Sequence, residues 1–402
     1  MFWGVYMPSA EIITIGTEIL LGEIINTNAR DIARKLRDAG IDLYWETTVG
    51  DNPARISQAI RQAMERCQII ITTGGLGPTV DDPTREAVAQ AIGVETEFIP
   101  ELWEQVQARF RRYERVPTEN NRRQAFIPKG AQPIENPVGT APAFLVDCQK
   151  VVIISLPGVP REMEFLMDHK VIPYLEERFD LAGLIKLRIL HTVGIGVSQI
   201  DALIGDLETL SNPTVGLAAH SGQVDVRITA KAQTTQEADN LLRPIEQALR
   251  QRLGDWVYGA DAETLEGVVL RCLFNRGWTL AVVEYGTGGY LINRLSQPNS
   301  TVPAEHQRMF KGGEFQTELT HPEQLLDLTR EYRLTSAVNV CLGISVFPGN
   351  ERTEIQIALI SPQGEFKKSV FYGGPPEYAP RYALHNSLDQ LRKLACDDQQ
   401  PL

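Results

Sequence analysis

The run Thr72-Thr73-Gly74-Gly75-Leu76-Gly77-Pro78-Thr79-Val80-Asp81-Asp82-Pro83-Thr84-Arg85 follows an apolar strand pattern, Ile69-Ile70-Ile71, and leads into the helical pattern Glu86-Ala87-Val88-Ala89-Gln90-Ala91. Such a chain must pass from a buried strand into a helix through a loop built for glycine. Gly74, Gly75 and Gly77 tolerate positive φ and let backbone amides turn toward a ligand. The helix start adds unpaired N–H groups and a positive dipole end, so the loop favours an anion. Asp81 and Asp82 would repel a bare phosphate, and a divalent cation between carboxylate and phosphate removes that conflict. The plain alternative is a glycine turn with a solvated acidic cap.

A second segment points the same way. Ile12-Ile13-Thr14-Ile15-Gly16-Thr17-Glu18-Ile19-Leu20-Leu21-Gly22-Glu23-Ile24-Ile25-Asn26-Thr27-Asn28 runs from a buried strand through a polar elbow toward a helix. Gly16 and Gly22 bracket Glu18, and Asn26 and Asn28 sit where asparagine caps a helix. Ala29, Ile32, Ala33 and Leu36 then fall at helical spacing, with Gly40 as the stop. In an open parallel sheet, ligands collect at the carboxyl ends of the strands, so the two loops should share one crevice, with Glu18 as its third carboxylate. A carboxylate set between apolar runs needs a partner.

At 402 residues the chain is too long for one core. Its periodicity predicts an α/β protein of three blocks. The first, 8–179, alternates strands (10–15, 43–49, 68–73, 151–155) with helices (28–39, 53–66, 84–92, 101–114, 161–177), which predicts a mostly parallel sheet with helices on both faces. The second, 185–260, reads strand–helix–strand–strand–helix–strand, the ferredoxin-like order, with lone histidines His191 and His220 read as structural. The third, 261–398, opens with a helix at 263–276 and a strand at 279–283, followed by the loop Glu284-Tyr285-Gly286-Thr287-Gly288-Gly289 and a helix. It continues with strands near 353–360 and 366–372 and ends in a helix at 377–395, an α/β or α+β unit.

A charge of −12 argues against a general nucleic-acid or membrane-surface binder. The basic run Arg109-Phe110-Arg111-Arg112 reads most simply as a solvated helix face, with contact to a substrate phosphate as the alternative. Cys67, Cys148, Cys272, Cys341 and Cys396 are scattered without metal spacing, which predicts neither zinc nor a disulfide framework and fits a reduced, cytoplasmic setting. No apolar run approaches a membrane span, and Met1–Ser9 has no signal-peptide pattern.

The first two segments, with Asn136-Pro137-Val138-Gly139-Thr140-Ala141-Pro142 and Leu156-Pro157-Gly158-Val159-Pro160-Arg161-Glu162-Met163, resemble the N-terminal domain of the CinA (competence/damage-inducible) family. That domain is similar to molybdopterin-binding proteins of the MoaB/MogA type. The resemblance covers nearly the whole chain and places the start near Met7, because the family pattern begins close to Ala10. It implies divalent-metal-dependent hydrolysis of the ADP-ribose pyrophosphate bond; Glu18, Asp81 and Asp82, not necessarily all three, are the candidate metal ligands, and Thr79, Thr84 and Arg85 are candidates to orient the pyrophosphate or balance charge. It also implies a nucleotide site drawing on Gly16, Thr17, Asn26, Asn28 and Thr73. The loop adds Gly74, Gly75, Gly77, Thr79 and Thr84, and later segments add Asn136, Gly139, Thr140, Pro157 and Gly158. Mg2+, Co2+ or Mn2+ is the implied ion, with room for a monovalent cation. A small-molecule nucleotide substrate and a homodimer complete the expectation, with neither nucleic acid nor membrane as partner.

The resemblance breaks in the third block. The family's C-terminal domain resembles nicotinamide mononucleotide deamidases, whose elbow carries a serine nucleophile and whose later Tyr-to-Lys stretch supplies a base. Here Tyr285 stands at the serine position, and Pro303–Gly313 lacks the Tyr-to-Lys stretch. A family segment rich in threonine and glycine appears only as Cys341–Asn350. The expectation is a retained fold without the deamidase. A relocated nucleophile would have to come from Ser300 or Ser345 with Lys311, while Glu284 and Thr287–Gly289 are candidates to bind a nucleotide phosphate. Two other readings remain beside the hydrolase: a non-catalytic nucleotide or pterin binder, and a molybdenum-cofactor step.

Overall fold

The computed structural model describes residues 8–396 apart from 113, 149, 182, 298–300, 317, 318, 320, 321, 350 and 351. Ser300, the expected start at Met7 and the expected end of the third block at 398 lie outside the described residues. The chain forms two compact units, Met1–Lys186 with Ala230–Asn240, and Leu187–Thr229 with Leu241–Leu402.

In the first unit six strands lie in the order Asp42–Val49, Ser9–Ile15, Ile69–Thr73, Val152–Leu156, Ala143–Asp147, Gln132–Ile134. The first four run parallel, and the last two each pair antiparallel with the strand before them, so that only Ala143–Asp147 runs against the rest. Alternate side chains of the parallel strands enter two separate cores, which is what a sheet covered on both faces requires. Ile12, Ile71 and Ile154 meet Ala29, Ile32 and Leu36 of the helix Thr27–Asp38 on one face. Ile13, Ile70 and Ile153 meet Ile56 and Ile60 of the helix Pro53–Met64 on the other. The apolar runs that read as buried strands are buried strands.

The expected helix at 161–177 is interrupted. Pro160–Leu166 and Ile172–Phe179 flank a π turn at Met167–Val171. Pro173 has no N–H to donate and crowds the carbonyl four residues back, and a widened turn accommodates both effects. The two antiparallel strands at the sheet edge also went unforeseen, because Gln132–Ile134 is short and follows a turn at Lys129 and Gly130.

The middle sheet has the order Thr214–His220, Gln223–Ala232, Leu184–Val193, Val257–Ala260, the ferredoxin-like arrangement. The last sheet runs Phe310–Gln316, Leu280–Tyr285, Val340–Phe347, Thr353–Ser361, Gly364–Tyr372, with its first three strands parallel. Helices Leu265–Arg276 and Ala379–Cys396 cover it through Val269, Leu273, Leu384, Leu388 and Leu391.

One cysteine expectation fails. Cys272 and Cys396 form a disulfide with Cα atoms 5.2 Å apart. They lie 124 residues apart in sequence, and the packing of those two helices, invisible in cysteine spacing, brings them together. The scattered cysteines therefore no longer argue for a reduced compartment. Among the described residues no helix is long and apolar enough to cross a membrane.

Candidate functional site

A cavity of about 710 Å³ opens where the strands Ser9–Ile15, Ile69–Thr73 and Val152–Leu156 end. Thr73 at the end of the central strand donates its hydroxyl to Pro157 O at 3.0 Å, joining two strand ends. Asn28 Nδ2 donates to Thr73 Oγ1 at 3.0 Å and to Gly158 O at 2.9 Å, tying the first helix to both. Its Oδ1 is buried without a donor in a residue that lines the cavity, so one acceptor is left for a ligand. Asn26 caps that helix by accepting from Ala29 N at 3.1 Å, and its Nδ2 donates to Thr14 Oγ1 at 3.0 Å.

The glycine loop is fixed from behind. Gly74 has φ 105°, and a Cβ there would lie 2.1 Å from Ile15 O. Gly75 has φ 64°, and its Cβ would lie 2.3 Å from Thr84 Oγ1. Only glycine fits either position. Thr84, fully buried, donates its hydroxyl to Gly74 O at 2.8 Å. Arg85, only 2 % exposed, donates to Leu76 O at 2.5 Å and Gly77 O at 3.2 Å. With these carbonyls held inward, the amides of Gly75, Leu76 and Gly77 make no hydrogen bond among the described residues. Three adjacent free amides on one loop form an anion-binding nest.

Two site expectations are corrected here. Arg85, expected to balance charge, does not line the cavity: its guanidinium braces the loop from below, and burial pulls its pKa down to about 10. Thr84 and the helix start at Thr84–Ile92 sit beside Arg85 under the loop rather than facing a ligand. Loop amides, and not the helix end, are what the cavity presents.

The carboxylates gather less tightly than expected. Glu18, Asp81 and Asp82 all line the cavity, yet no three His, Cys, Asp or Glu side chains among the described residues group to hold a metal. Asp82 turns inward, accepting from Thr79 N at 2.8 Å and Thr79 Oγ1 at 2.6 Å, and it packs so closely on Gly77 that a Cβ there would lie 2.4 Å from Oδ2. Glu18 lies back over Gly16, where a Cβ would be 2.7 Å from its Oε1. A three-carboxylate cage is therefore absent among the described residues. An ion held by one or two carboxylates and completed by water and substrate phosphate remains compatible with these donors, as Mg2+ is commonly bound.

The outer wall brings in residues that sequence reasoning missed. Asp51 accepts from Thr17 N at 2.9 Å and Thr17 Oγ1 at 2.7 Å, so Thr17 serves the wall and Asp51 lines the cavity. Asn136 Nδ2 donates to Glu162 Oε2 at 2.6 Å, and its Oδ1 accepts from Gly139 N at 3.0 Å. Asn136 and Gly139 thus stand behind the lining and position Glu162, while Thr140, Pro157 and Gly158 reach it directly. Burial raises the Glu162 pKa, against the lowering effect of Asn136 and Arg109. The signal for Glu162 lay in the quoted segment Leu156–Met163; Asp51 and Gln124 had none, since only the fold brings them near.

The C-terminal elbow is built differently. Glu284, 1 % exposed, accepts from Leu291 N at 3.2 Å and Ile292 N at 2.6 Å, and Thr287 donates to it as well. Two of the first amides of the helix Tyr290–Ser296 are thus taken by an internal carboxylate, which sits where Glu284 and Thr287–Gly289 were expected to hold a phosphate. Tyr285 is buried in an apolar cluster with Val283, Leu325, Val338 and Cys341. Ser345 pairs beside it, fully buried, and Lys311 is exposed on the outer strand.

Residues 11–177 match the family described as a probable molybdopterin binding domain, and residues 187–259 match the damage-inducible protein CinA KH domain. A CinA-like protein of Synechococcus sp. (strain CC9902) is 42% identical over 317 residues, 79% of this chain and 74% of that protein. A Halothermothrix orenii protein named as competence-damage inducible is 40% identical over 305 residues, 76% of this chain and 72% of that one. The solved CinA structure from Thermoplasma acidophilum, titled as of unknown function, is 35% identical and covers 43% of this chain and 98% of its own, at a TM-score of 0.39. A MoaB/MogA-like first domain followed by a CinA KH domain, with relatives this similar over most of their length, makes the chain a member of the CinA family.

Proposed function

We propose that the N-terminal cavity binds a nucleotide through its pyrophosphate and hydrolyses it with a divalent ion, with ADP-ribose as the first substrate to test. The observation that carries this reading is the nest of unbonded Gly75, Leu76 and Gly77 amides beside a rim of carboxylates. Those amides suit phosphate oxygens in a site whose donors need no rearrangement. Asn28 Oδ1 suits a sugar hydroxyl. Asp81 and Glu18 are the rim carboxylates best placed to share an ion with substrate, since Asp82 is committed to Thr79. When bound, the ion supplies charge neutralisation and a more acidic water. Glu162, holding its proton more tightly than an ordinary glutamate, is the lining group suited to hand one to a leaving phosphate.

A second reading, binding of a pterin or nucleotide without turnover, is favoured by two observations. The family match over 11–177 is to a molybdopterin-binding domain, and the carboxylates form no three-residue metal group among the described residues. A turnover assay with ADP-ribose and Mg2+, Mn2+ or Co2+ separates the two. Metal-dependent release of AMP is expected, and Asp81→Asn, at an exposed rim carboxylate, should reduce it at least tenfold while costing stability only about 1 kcal/mol. Binding of ADP-ribose without AMP release in any metal would replace hydrolysis with the second reading.

A further inference from the structure

In the second unit the ring of His191 is held from both sides by groups that can only accept. Its Nδ1 lies 2.7 Å from Asp225 Oδ1, and its Nε2 lies 2.8 Å from the backbone carbonyl oxygen of Asp261. A neutral imidazole carries one N–H and could serve only one of them. Both contacts are at hydrogen-bond length, so the ring in this arrangement is an imidazolium that donates twice. Tyr258 stacks on the same ring with centroids 5.6 Å apart, which favours a cation over a neutral ring.

The bond from Nε2 reaches a joint in the chain. Asp261 follows the last strand of the middle sheet, Val257–Ala260, and the turn it opens leads to Thr264, the cap of the helix Leu265–Arg276. Asp261 has φ 54°, a left-handed conformation that an aspartate holds only where its surroundings fix it. The strand Leu184–Val193 supplies four ties. Ile189 O accepts from Asp261 N at 2.9 Å, and Ile189 N donates to its carboxylate at 3.0 Å. Arg188 pairs with that carboxylate, and His191 donates to the Asp261 carbonyl. Of the four, the His191 bond is the one that depends on a proton lost near neutral pH.

We propose that His191 is a pH-sensitive clasp at this joint: as an imidazolium it pins the Asp261 turn to the strand, and on losing one proton it lets the turn go. The remaining N–H stays with the Asp225 carboxylate, since a bond to a charged acceptor is the stronger one. The Nε2 lone pair then faces the Asp261 carbonyl oxygen across 2.8 Å, and attraction becomes repulsion. Burial opposes the charge on His191, yet Asp225 and the Asp261 carbonyl outweigh it and raise its pKa above the ordinary 6.5. The clasp is therefore fully engaged below 6.5 and is lost as pH rises through the folded value.

The other groups around the ring keep their charge through that change. Burial alone would raise the Asp225 pKa, but His191 and His220 outweigh it and lower it, so this carboxylate stays ionised. Burial raises the Tyr258 pKa and pulls that of His385 down to about 4, which keeps both side chains neutral. Glu263 is paired with Arg271 and Glu266 with Arg294, while Arg188 and Arg381 stay cationic. His220 Nε2, 3.0 Å from the other Asp225 oxygen, is the remaining imidazole, and it serves as the control.

Imidazole NMR on the unmodified full chain is the first test. At about pH 6 both ring nitrogens of His191 should carry protons, and Nε2 should lose its own with a midpoint above 6.5. Amide exchange corrected for its intrinsic rate should show the protection of Asp261 N falling about tenfold between about pH 6 and about pH 9. His191→Gln should remove this pH step, exposed His220→Gln should keep it, and Asp225→Asn should move its midpoint down. The proposal is overturned if His191 carries a single ring proton at about pH 6 or titrates at or below 6.5. It is also overturned if His191→Gln shows the same step as the parent, or if His220→Gln loses it. The ring spectra decide the first pair of outcomes whether or not any variant folds.

Discussion

Residues 73–85 and 285–290 both carry the chain from the carboxyl end of a buried parallel strand, through three glycines, into a helix. In the first elbow the charged side chain of Arg85 reaches under the loop and holds its carbonyls, which leaves three amides for a ligand. In the second the side chain of Glu284 reaches over the helix end and takes the amides of Leu291 and Ile292, while Tyr285 is buried in the apolar cluster beside it. The sign of one buried charge decides the outcome. A buried cation turns the loop's donors outward, and a buried anion turns them inward.

The widest separation of the two elbows should come from alanine at one glycine in each. Gly74→Ala drives a Cβ to within 2.1 Å of Ile15 O at φ 105°, and a loss of about 4 kcal/mol with loss of ADP-ribose binding is expected. Gly288→Ala at φ 66° meets nothing within 4 Å and should cost only about 1 kcal/mol. Denaturant melts of both variants measure this, and equal losses would erase the distinction between a packed and an open elbow.

Tyr285→Ser is the next test. It removes a ring from an apolar cluster and should cost about 3 kcal/mol by the same melts. No ammonia should leave nicotinamide mononucleotide before or after the change, since the new hydroxyl would face Cys341 and Val338 with no base among its described cluster neighbours. Ammonia release above a no-enzyme blank, by either protein, would show that the second elbow is a working site.

The smallest expected effect is electrostatic. Burial raises the folded pKa of Glu162 above its ordinary 4.5, so its contribution to stability is fully present below 4.5 and is lost as pH rises through the folded value. Stability curves of the parent and of Glu162→Gln across that window should differ in slope, the variant being flatter. Identical slopes would mean that Glu162 is as well solvated as a surface carboxylate and that the first cavity is wetter than its wall implies.

Much of this was legible in the order of residues. Ile69-Ile70-Ile71 before three glycines located the central strand and the ligand loop, because an apolar run has to be buried and a glycine cluster has to turn. Alternation of strand and helix announced the parallel sheet. What stayed hidden depended on distance in space. Nothing near Asp51 marks it as a neighbour of Thr17, and nothing in Arg85 says whether its guanidinium meets substrate or backbone. Glu284 read as a phosphate-site residue because its local pattern is that of an anion loop, and only its reach to Ile292 N shows that the anion is already there. Cys272 and Cys396 became partners through two helices whose contact no spacing encodes.

The inward hold on Leu76 and Gly77 has a kinetic consequence. A loop tied down before its ligand arrives has little disorder to give up on binding, so affinity is not eroded by freezing it. Encounter should then be set by diffusion into the mouth of the cavity, not by the closing of a lid, and differences in affinity among ligands should arise almost wholly from how fast each one leaves.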